Sequence, residues 1–403
     1  MRPEKPPVAS RRTFLAATAL AGGAALTPLR PALAEVAPVA DGPILKPLPP
    51  EAFIDLGTNA EMRWDSVLTR EFRTRQSRLF VRNHTATPLV AASSYALRIF
   101  GDGLSVPRGD AEPLSLTLRD LRRLPHTSLT AVHECTGNGR SFFGTQQGAP
   151  AAGTQWTLGA VGTVRWEGVR LADVLRRVGI SPAAVSVQGA GLDANYVSGG
   201  VDYGAVRRPL PIAKALDDAL LAWGMNGEPL LPDHGFPLRL VVPGWVGIAS
   251  IKWLGSLEVS TTELTSPWNT KWYRMSGPGI PADSPPLTEN PVRSAWELAW
   301  NAQLTGRSIE LTGRSWSGAG PVRRIDVSTD GGATWSQARL TRPGHRDGWT
   351  PWAHTWRHPA PGAHELMARA TDVTGRTQPF TALENDGGYF FDAVVRHPVT
   401  VVA

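Results

Sequence analysis

The residue whose type is best suited to chemistry is Cys135, the only cysteine in 403 residues. It sits in the stretch Ala131–Phe143, AVHECTGNGRSFF, among a histidine, an acid, two glycines, an asparagine and an arginine. A single thiol makes no intramolecular disulfide, so it is buried filler, a nucleophile, an intermolecular partner or a metal ligand. The polar, glycine-rich neighbours favour a ligand or a reactive thiol. A thiol hydrolase needs a base, and His133 stands two residues away on the same side of a strand, which is a weak arrangement. There is no GxxxxGK[ST] and no GxGxxG after a strand, so the glycines make no phosphate loop. No Cys/His spacing supplies the three or four ligands that zinc takes. One thiolate suffices where an organic cofactor brings most other ligands, and thiolates favour soft or sulfur-coordinated metals.

Four further clusters could join that thiol. They are Arg82-Asn83-His84, Asp193 with Tyr196, the run His234–Arg239 followed by Lys252-Trp253, and the group Trp268, Lys271, Trp272, Tyr273 and Arg274. Residue type alone gives each a plainer role. Arg82 and Arg140 suit surface or capping positions, His234 a loop end, His133 loop scaffolding, Tyr273 interdomain packing, and Trp316 and Trp335 a β core.

The elements that must position these groups fall into two textures. Leu79–His84 reads as a short strand running into a polar corner, and Tyr95–Phe100 alternates like a strand before the turn Gly101-Asp102-Gly103. Ser115–Leu121 leads from a strand into a short helix, and the strand Thr127–Val132 delivers the Cys135 loop. Val164–Val169 suggests a hairpin, Leu171–Val178 has helical apolar spacing ending at Gly179, Ala184–Gly189 is a strand, and Ile212–Leu220 is helical by pattern. Prolines 267, 281, 285, 286 and 291 mark an extended connection. Beyond Trp296 helical patterns vanish, and Ser308–Gly313, Val322–Ser328, Trp335–Leu340, His354–His358 and His364–Thr371 read as strands. Asp330-Gly331-Gly332 signals a hairpin turn. This spacing suits an immunoglobulin-like β-sandwich without the paired cysteines.

The N-terminus carries an export signal: Ser10-Arg11-Arg12-Thr13-Phe14-Leu15, an apolar run through Leu26, and Ala32-Leu33-Ala34 as a small-x-small cleavage site. It is too short and weakly flanked for a membrane anchor. The formal net charge of +6 falls to +2 without the leader, which holds five basic residues and one acid. The remainder is therefore no nucleic-acid binder by composition, and any anion site is a local cluster. About 370 mature residues exceed one usual core, so two domains are expected.

In their order, these motifs resemble the sulfite oxidase family of molybdenum enzymes. Phe80-Val81-Arg82-Asn83-His84, Cys135-Thr136-Gly137-Asn138, Trp156 with Gly159-Ala160, and Gly191-Leu192-Asp193 follow its pattern. So do Met225–Leu230, His234–Pro237, Lys252-Trp253-Leu254, Trp316-Ser317-Gly318 and Asp326–Gly332. The resemblance implies an α+β, mixed sulfite-oxidase-type molybdopterin-binding domain followed by an immunoglobulin-like dimerisation domain. The expected layout is a twin-arginine signal peptide (1–34), a Pro-rich flexible arm (35–50), the catalytic domain (51–260), an extended connection (261–290) and the sandwich (291–403). By resemblance Cys135 is the protein's thiolate on molybdenum, with a molybdopterin completing the sphere. Phe80, Val81, Asn83, His84, Asp193, His234, Arg239, Ser250 and Lys252 contact the cofactor or its phosphate. Arg82 and Arg140 hold an anionic substrate, Tyr273 helps position it, and Trp156 walls the pocket. Two departures stand out: Gly139 precedes Arg140 where the family often has a second arginine, and the arginine expected just after Trp316-Ser317-Gly318 is missing, the chain reading Gly318-Ala319-Gly320-Pro321.

The leading expectation is an exported, periplasmic homodimer that oxidises sulfite to sulfate and passes electrons to an external carrier such as cytochrome c. A sulfane dehydrogenase acting on a carrier-bound sulfur is the near alternative, favoured by a wide pocket mouth. A sulfoxide reductase and a non-catalytic exported binding module are weaker options. Nitrate reduction is disfavoured.

Overall fold

The protein is described by a computed structural model over residues 42–67 and 71–402. The export signal and the first part of the arm lie outside the described residues. No helix among the described residues is long and apolar enough to cross a membrane.

Two sheets build the first domain. One runs Arg207–Pro211, Ser186–Gly191, Leu254–Ser260, Ala96–Phe100 and Leu114–Thr117, antiparallel except where Leu254–Ser260 pairs with Ala96–Phe100. The other runs Glu228–Pro229, Leu220–Met225, Val161–Arg170 and His126–Glu134, with Arg239–Val241 also paired to Leu220–Met225. A small sheet of Phe53–Leu56, Asn59–Met62 and Val81–Arg82 ends beside the site. The helix Leu171–Val178 buries Leu171, Ala172, Val174 and Leu175, has Asp173 in its first turn and Arg176 and Arg177 in its last, and stops at Gly179. That charge order suits the helix dipole. The shorter helix Leu118–Leu121 is fixed by a reciprocal cap between Thr117 and Asp120.

The C-terminal domain packs a sheet of Arg293–Trp296, Ser308–Trp316, Thr350–Arg357 and Arg339–Leu340 against one of Ala302–Thr305, His397–Val402, Gly362–Asp372, Val322–Ser328 and Ser336–Gln337. Trp296 and Trp352 meet edge to face at 4.6 Å in its core. The turn at Asp330-Gly331-Gly332 lies between paired strands, with both glycines at positive φ. A second core joins the domains: Trp64, Val132, Phe142, Trp316, Trp349 and Phe391 share one buried cluster.

Three expectations are corrected. Val161–Arg170 is one continuous strand rather than a hairpin. Gly168 marks close backbone approach instead of a turn, since a Cβ there would stand 1.9 Å from the Leu221 carbonyl oxygen. The helix from Ile212 ends at Asp217, and Leu220 already belongs to a strand. The described part of the Pro-rich arm is packed: Ile44 is 3% and Lys46 5% exposed. Its backbone is satisfied because Leu45 and Lys46 N–H donate to Asp233 at 2.9 and 2.7 Å.

Candidate active site

Loops at the ends of these strands enclose a cavity of about 700 Å³, part of it open to solvent. Of the expected site residues, Phe80, Arg82, Asn83, His84, Cys135, Asp193, His234, Arg239, Ser250, Lys252 and Tyr273 all line it. They come from separate stretches between 80 and 273, so the fold brings together what the sequence spreads apart.

Three expected residues lie elsewhere. Trp156 is 1% exposed and stands edge-on behind Phe80 at 6.2 Å, so it backs the wall without forming it. Val81 turns its side chain into the core shared by the two domains, as alternation along a strand requires. Arg140 is absent from the cavity lining. Its Nε donates to the Gly387 carbonyl at 3.0 Å and its Nη1 to the Thr154 carbonyl at 2.9 Å. It still lies near enough to act electrostatically on Cys135 and Tyr273.

The Cys135 loop is anchored by an acid that sequence reasoning passed over. Glu134 ends its strand 1% exposed. Its Oε1 accepts from Arg293 Nη1 at 2.8 Å and Asn138 Nδ2 at 2.9 Å, and its Oε2 from Trp316 Nε1 at 2.8 Å. Arg293 and Trp316 belong to the C-terminal domain, so a buried ion pair across the domain boundary sets the loop that presents the thiol. Burial pushes the Cys135 thiol pKa up, and the guanidinium of Arg82, the Gly137 backbone N–H and Arg140 oppose that. The sulfur becomes a thiolate when something positive joins it.

Three imidazoles surround the cavity in the neutral form, each held well below the usual histidine range by burial and by neighbouring cations. His84 Nε2 accepts from Trp268 Nε1 at 2.9 Å. His234 Nε2 meets the Gln76 carbonyl at 3.0 Å, so that nitrogen carries its proton. His133 stacks on Phe80 at 5.6 Å, and its Nε2 is met by Arg239 Nη2 at 3.3 Å. It is a cavity wall held by an arginine, not a base for Cys135. Its strand alternation with Cys135 was the readable signal.

The cationic side is equally ordered. Arg239 is 1% exposed, donates to the His234 and Ser250 carbonyls at 3.0 Å each, and is lowered by burial to about 9. Lys252 Nζ donates to Asn83 Oδ1 and to the Asp233 carbonyl, the latter at 2.8 Å, and burial holds its pKa well below normal. Asp193 is raised to about 6 by burial. Asp233, also missed, is saturated by N–H donors of the arm and by the Thr87 hydroxyl at 2.6 Å.

Whether this lining fits a bound cofactor is tested by its unpaired atoms. Arg82 Nη1, Thr136 Oγ1, Asp193 Oδ1 and Arg239 Nε are buried without a hydrogen-bond partner. Buried polar groups are rarely left so, and these four belong to residues around one cavity. Guanidinium donors, a hydroxyl, a carboxyl and one sulfur together fit a ligand that bears anionic oxygens and a soft metal. Among the described residues no group of three or more His, Cys, Asp or Glu side chains could hold a metal unaided.

Comparison with known proteins gives the same answer. Residues 84–268 match the oxidoreductase molybdopterin binding domain, and residues 293–400 the Mo-co oxidoreductase dimerisation domain. The chain is 38% identical over 335 residues to the sulfite oxidase of Gallus gallus, covering 78% of this chain and 69% of that protein. It is 35% identical to the mitochondrial sulfite oxidase of Homo sapiens, covering 85% of this chain but 64% of that protein. Among solved structures, the sulfane dehydrogenase SoxCD from Paracoccus pantotrophus aligns with a TM-score of 0.71 at 27% identity, covering 86% of this chain and 84% of that one. An α+β molybdopterin-binding domain, a β dimerisation-type domain and a cavity built around one sulfur thus coincide in one chain, which belongs to the sulfite oxidase family of molybdopterin oxidoreductases.

Proposed function

We propose that this enzyme oxidises a reduced sulfur centre by two electrons at a molybdenum–molybdopterin cofactor, with electrons leaving singly to an external carrier such as a cytochrome c. The observation that carries the reading is Arg82 Nη1, a buried guanidinium nitrogen with no acceptor in a side chain that lines the same cavity as Cys135. Cys135 would be the thiolate on the metal. Asn83, His84, Asp193, His234, Arg239, Ser250 and Lys252 would hold the pterin and its phosphate, with Phe80 as a wall. When bound, the cofactor supplies the electron sink and the oxygen passed to sulfur.

The chain's own residues bind and orient. Arg82 offers a charge-assisted hydrogen bond to an anionic oxygen. Burial pushes the Tyr273 phenol far above its ordinary value, so it stays protonated and can donate to the same anion. Neutral imidazoles avoid adding further charge beside the metal. The domain match at residues 293–400 supports a two-fold homodimer, and the leader supports export by the twin-arginine route.

Two sulfur substrates fit this class. A carrier-bound sulfur comes first, reversing the order the sequence suggests. The cavity opens to solvent, and the solved sulfane dehydrogenase is matched over most of both chains. Arg140 also has two of its nitrogens occupied by carbonyls, which lessens the positive charge available to a small dianion. Free sulfite comes second, supported by the identity to animal sulfite oxidases. The test is steady-state turnover of exported protein with verified molybdenum content, given sulfite or a thiol-carrier adduct and a one-electron acceptor. Turnover of either, lost in Cys135→Ser, supports the reaction class. The preferred adduct decides the substrate, and metal-loaded enzyme inert to both sinks the proposal.

A further inference from the structure

One loop of the C-terminal domain reaches the site without belonging to any motif discussed so far. Residues 385–390, Asn-Asp-Gly-Gly-Tyr-Phe, contact Arg140, Thr136 and Tyr273, all outside the C-terminal domain. The Gly387 and Gly388 carbonyls accept from Arg140 Nε at 3.0 and 3.3 Å. The Phe390 N–H donates to the carbonyl of Thr136, next to Cys135, at 3.1 Å. The Tyr389 ring lies nearly parallel to Tyr273, 5.3 Å between centroids and 19° between planes, and the Arg140 guanidinium sits 5.5 Å from the same ring.

The loop is built to hold this position. Asn385 ties both of its ends: its Oδ1 accepts from the Tyr389 N–H at 2.9 Å and its Nδ2 donates to the Tyr389 carbonyl at 2.9 Å. Gly388 has φ +54°, and a Cβ there would stand 2.6 Å from Ala151 Cβ and 2.7 Å from Arg140 Cγ. Only glycine lets the backbone pass so close to the arginine. Burial pushes the Tyr389 phenol up, and the Tyr273 backbone N–H, Arg140 and Arg82 oppose that. Its ring therefore shares the charged surroundings of Tyr273 and Cys135.

We infer that Tyr389 is a positioning residue of the anion subsite, its ring fixing the Tyr273 ring and the Arg140 guanidinium in mutual register. This rests on the reading of Arg82 and Tyr273 as the anion-holding groups, with Arg140 acting electrostatically on Tyr273 from outside the cavity lining. The carbonyls of residues 387 and 388 occupy Arg140 Nε and Thr154 occupies Nη1, leaving Nη2 without a protein acceptor among the described residues. Those bonds fix the guanidinium plane, and the Tyr389 ring packs 5.5 Å from it while stacking on Tyr273. The C-terminal domain then tunes substrate affinity through an aromatic face rather than through a charge of its own.

The experiment compares Tyr389→Phe, Tyr389→Leu and Tyr389→Ala in molybdenum-loaded enzyme, reading the Kd of sulfate by calorimetry and the KM and kcat of the sulfur substrate. Aromatic stacking and a cation–π contact to the buried Arg140 together predict about a 3- to 10-fold weaker sulfate Kd in the Leu and Ala variants. KM should rise by a similar factor with kcat less affected, while Phe stays within about two-fold of wild type because it keeps the π face. Leu preserves apolar packing if Ala fails to fold. Unchanged sulfate binding in Leu, a Phe variant as weak as Leu, or wild-type enzyme that binds no sulfate overturns the inference. Sulfate binding needs no turnover, so enzyme that binds sulfate but turns over neither sulfur substrate fails the proposed function while leaving this inference standing.

Discussion

Replacing Glu134 with glutamine keeps the shape of the group that anchors the Cys135 loop and removes its charge. Arg293 then loses the carboxylate facing its Nη1 at 2.8 Å, while its Nη2 already lacks a partner. The side-chain amide must also accept from Arg293, Asn138 and Trp316 with one oxygen instead of two. Breaking a buried ion pair from one side costs about 3–5 kcal/mol, since the surviving charge stays buried. That is a large share of a total stability of about 5–15 kcal/mol. Arg293→Met should cost a similar amount, because it strands the carboxylate. The double variant removes both charges, so it should be more stable than the sum of the single losses predicts, by about 2–3 kcal/mol. Urea unfolding followed by tryptophan fluorescence and by far-ultraviolet dichroism checks this, with free energies taken only where the two transitions coincide. A cycle that closes to within about 0.5 kcal/mol would refute the argument, because the two residues would then act independently.

Further outcomes follow from the titrating groups and from Gly168. Arg82→Met should raise the Cys135 thiol pKa further in cofactor-free protein, slowing alkylation at pH 8, because Arg82 is the strongest influence opposing burial there; an unchanged rate contradicts it. Asp193 is raised to about 6 from 3.8, so the folded state keeps its proton longer than the unfolded chain. Its contribution is present below pH 3.8 and is lost as pH rises through about 6, on the order of 3 kcal/mol in total without ligand. Asp193→Asn should flatten that decline, and pH-dependent urea midpoints of the cofactor-free protein would show a parallel curve if the assignment is wrong. Gly168→Ala places a methyl 1.9 Å from the Leu221 carbonyl oxygen, so it should destabilise by more than about 2 kcal/mol, read as a lower midpoint.

What the sequence disclosed depended on how local the cause was. Leu171–Val178 was legible because its apolar spacing, end charges and closing glycine all lie within nine residues. That Cys135, Arg82, Asn83, His234 and Lys252 belong together was legible through residue type and motif order, and the fold gathers all five at one cavity. Gly168 misled because a glycine that admits a neighbouring backbone looks the same in sequence as one that turns. Trp156 and Val81 sit in the right motifs but behind the wall, since a motif fixes a neighbourhood and not a side-chain direction. Glu134 with Arg293, and Arg140 with Gly387, are pairs separated by 159 and 247 positions. No periodicity connects such residues, and only the packed domains show that the second reaches into the site of the first.

The charge arrangement around the cavity gives that coupling a purpose. Arg82, Arg239 and Lys252 contribute three basic groups, while Asp233 already has its carboxylate occupied by backbone N–H groups and a hydroxyl. Asp193 is itself pushed toward its neutral form. Burial depresses Arg239 to about 9 and Lys252 well below its usual value, so the protein without an anion opposes its own cations. An anionic ligand in the cavity relieves that opposition and favours the charged form of both groups. Ligand binding should therefore take up protons at Lys252 as well as release one from Cys135, and the folded state should gain stability by the ligand's binding free energy. Proton uptake or release on loading the cofactor-free protein, measured in two buffers of different ionisation heat, separates the two groups. Lys252→Met should leave only the release from Cys135, and a proton count unaltered by that substitution would show that the lysine is charged before the ligand arrives.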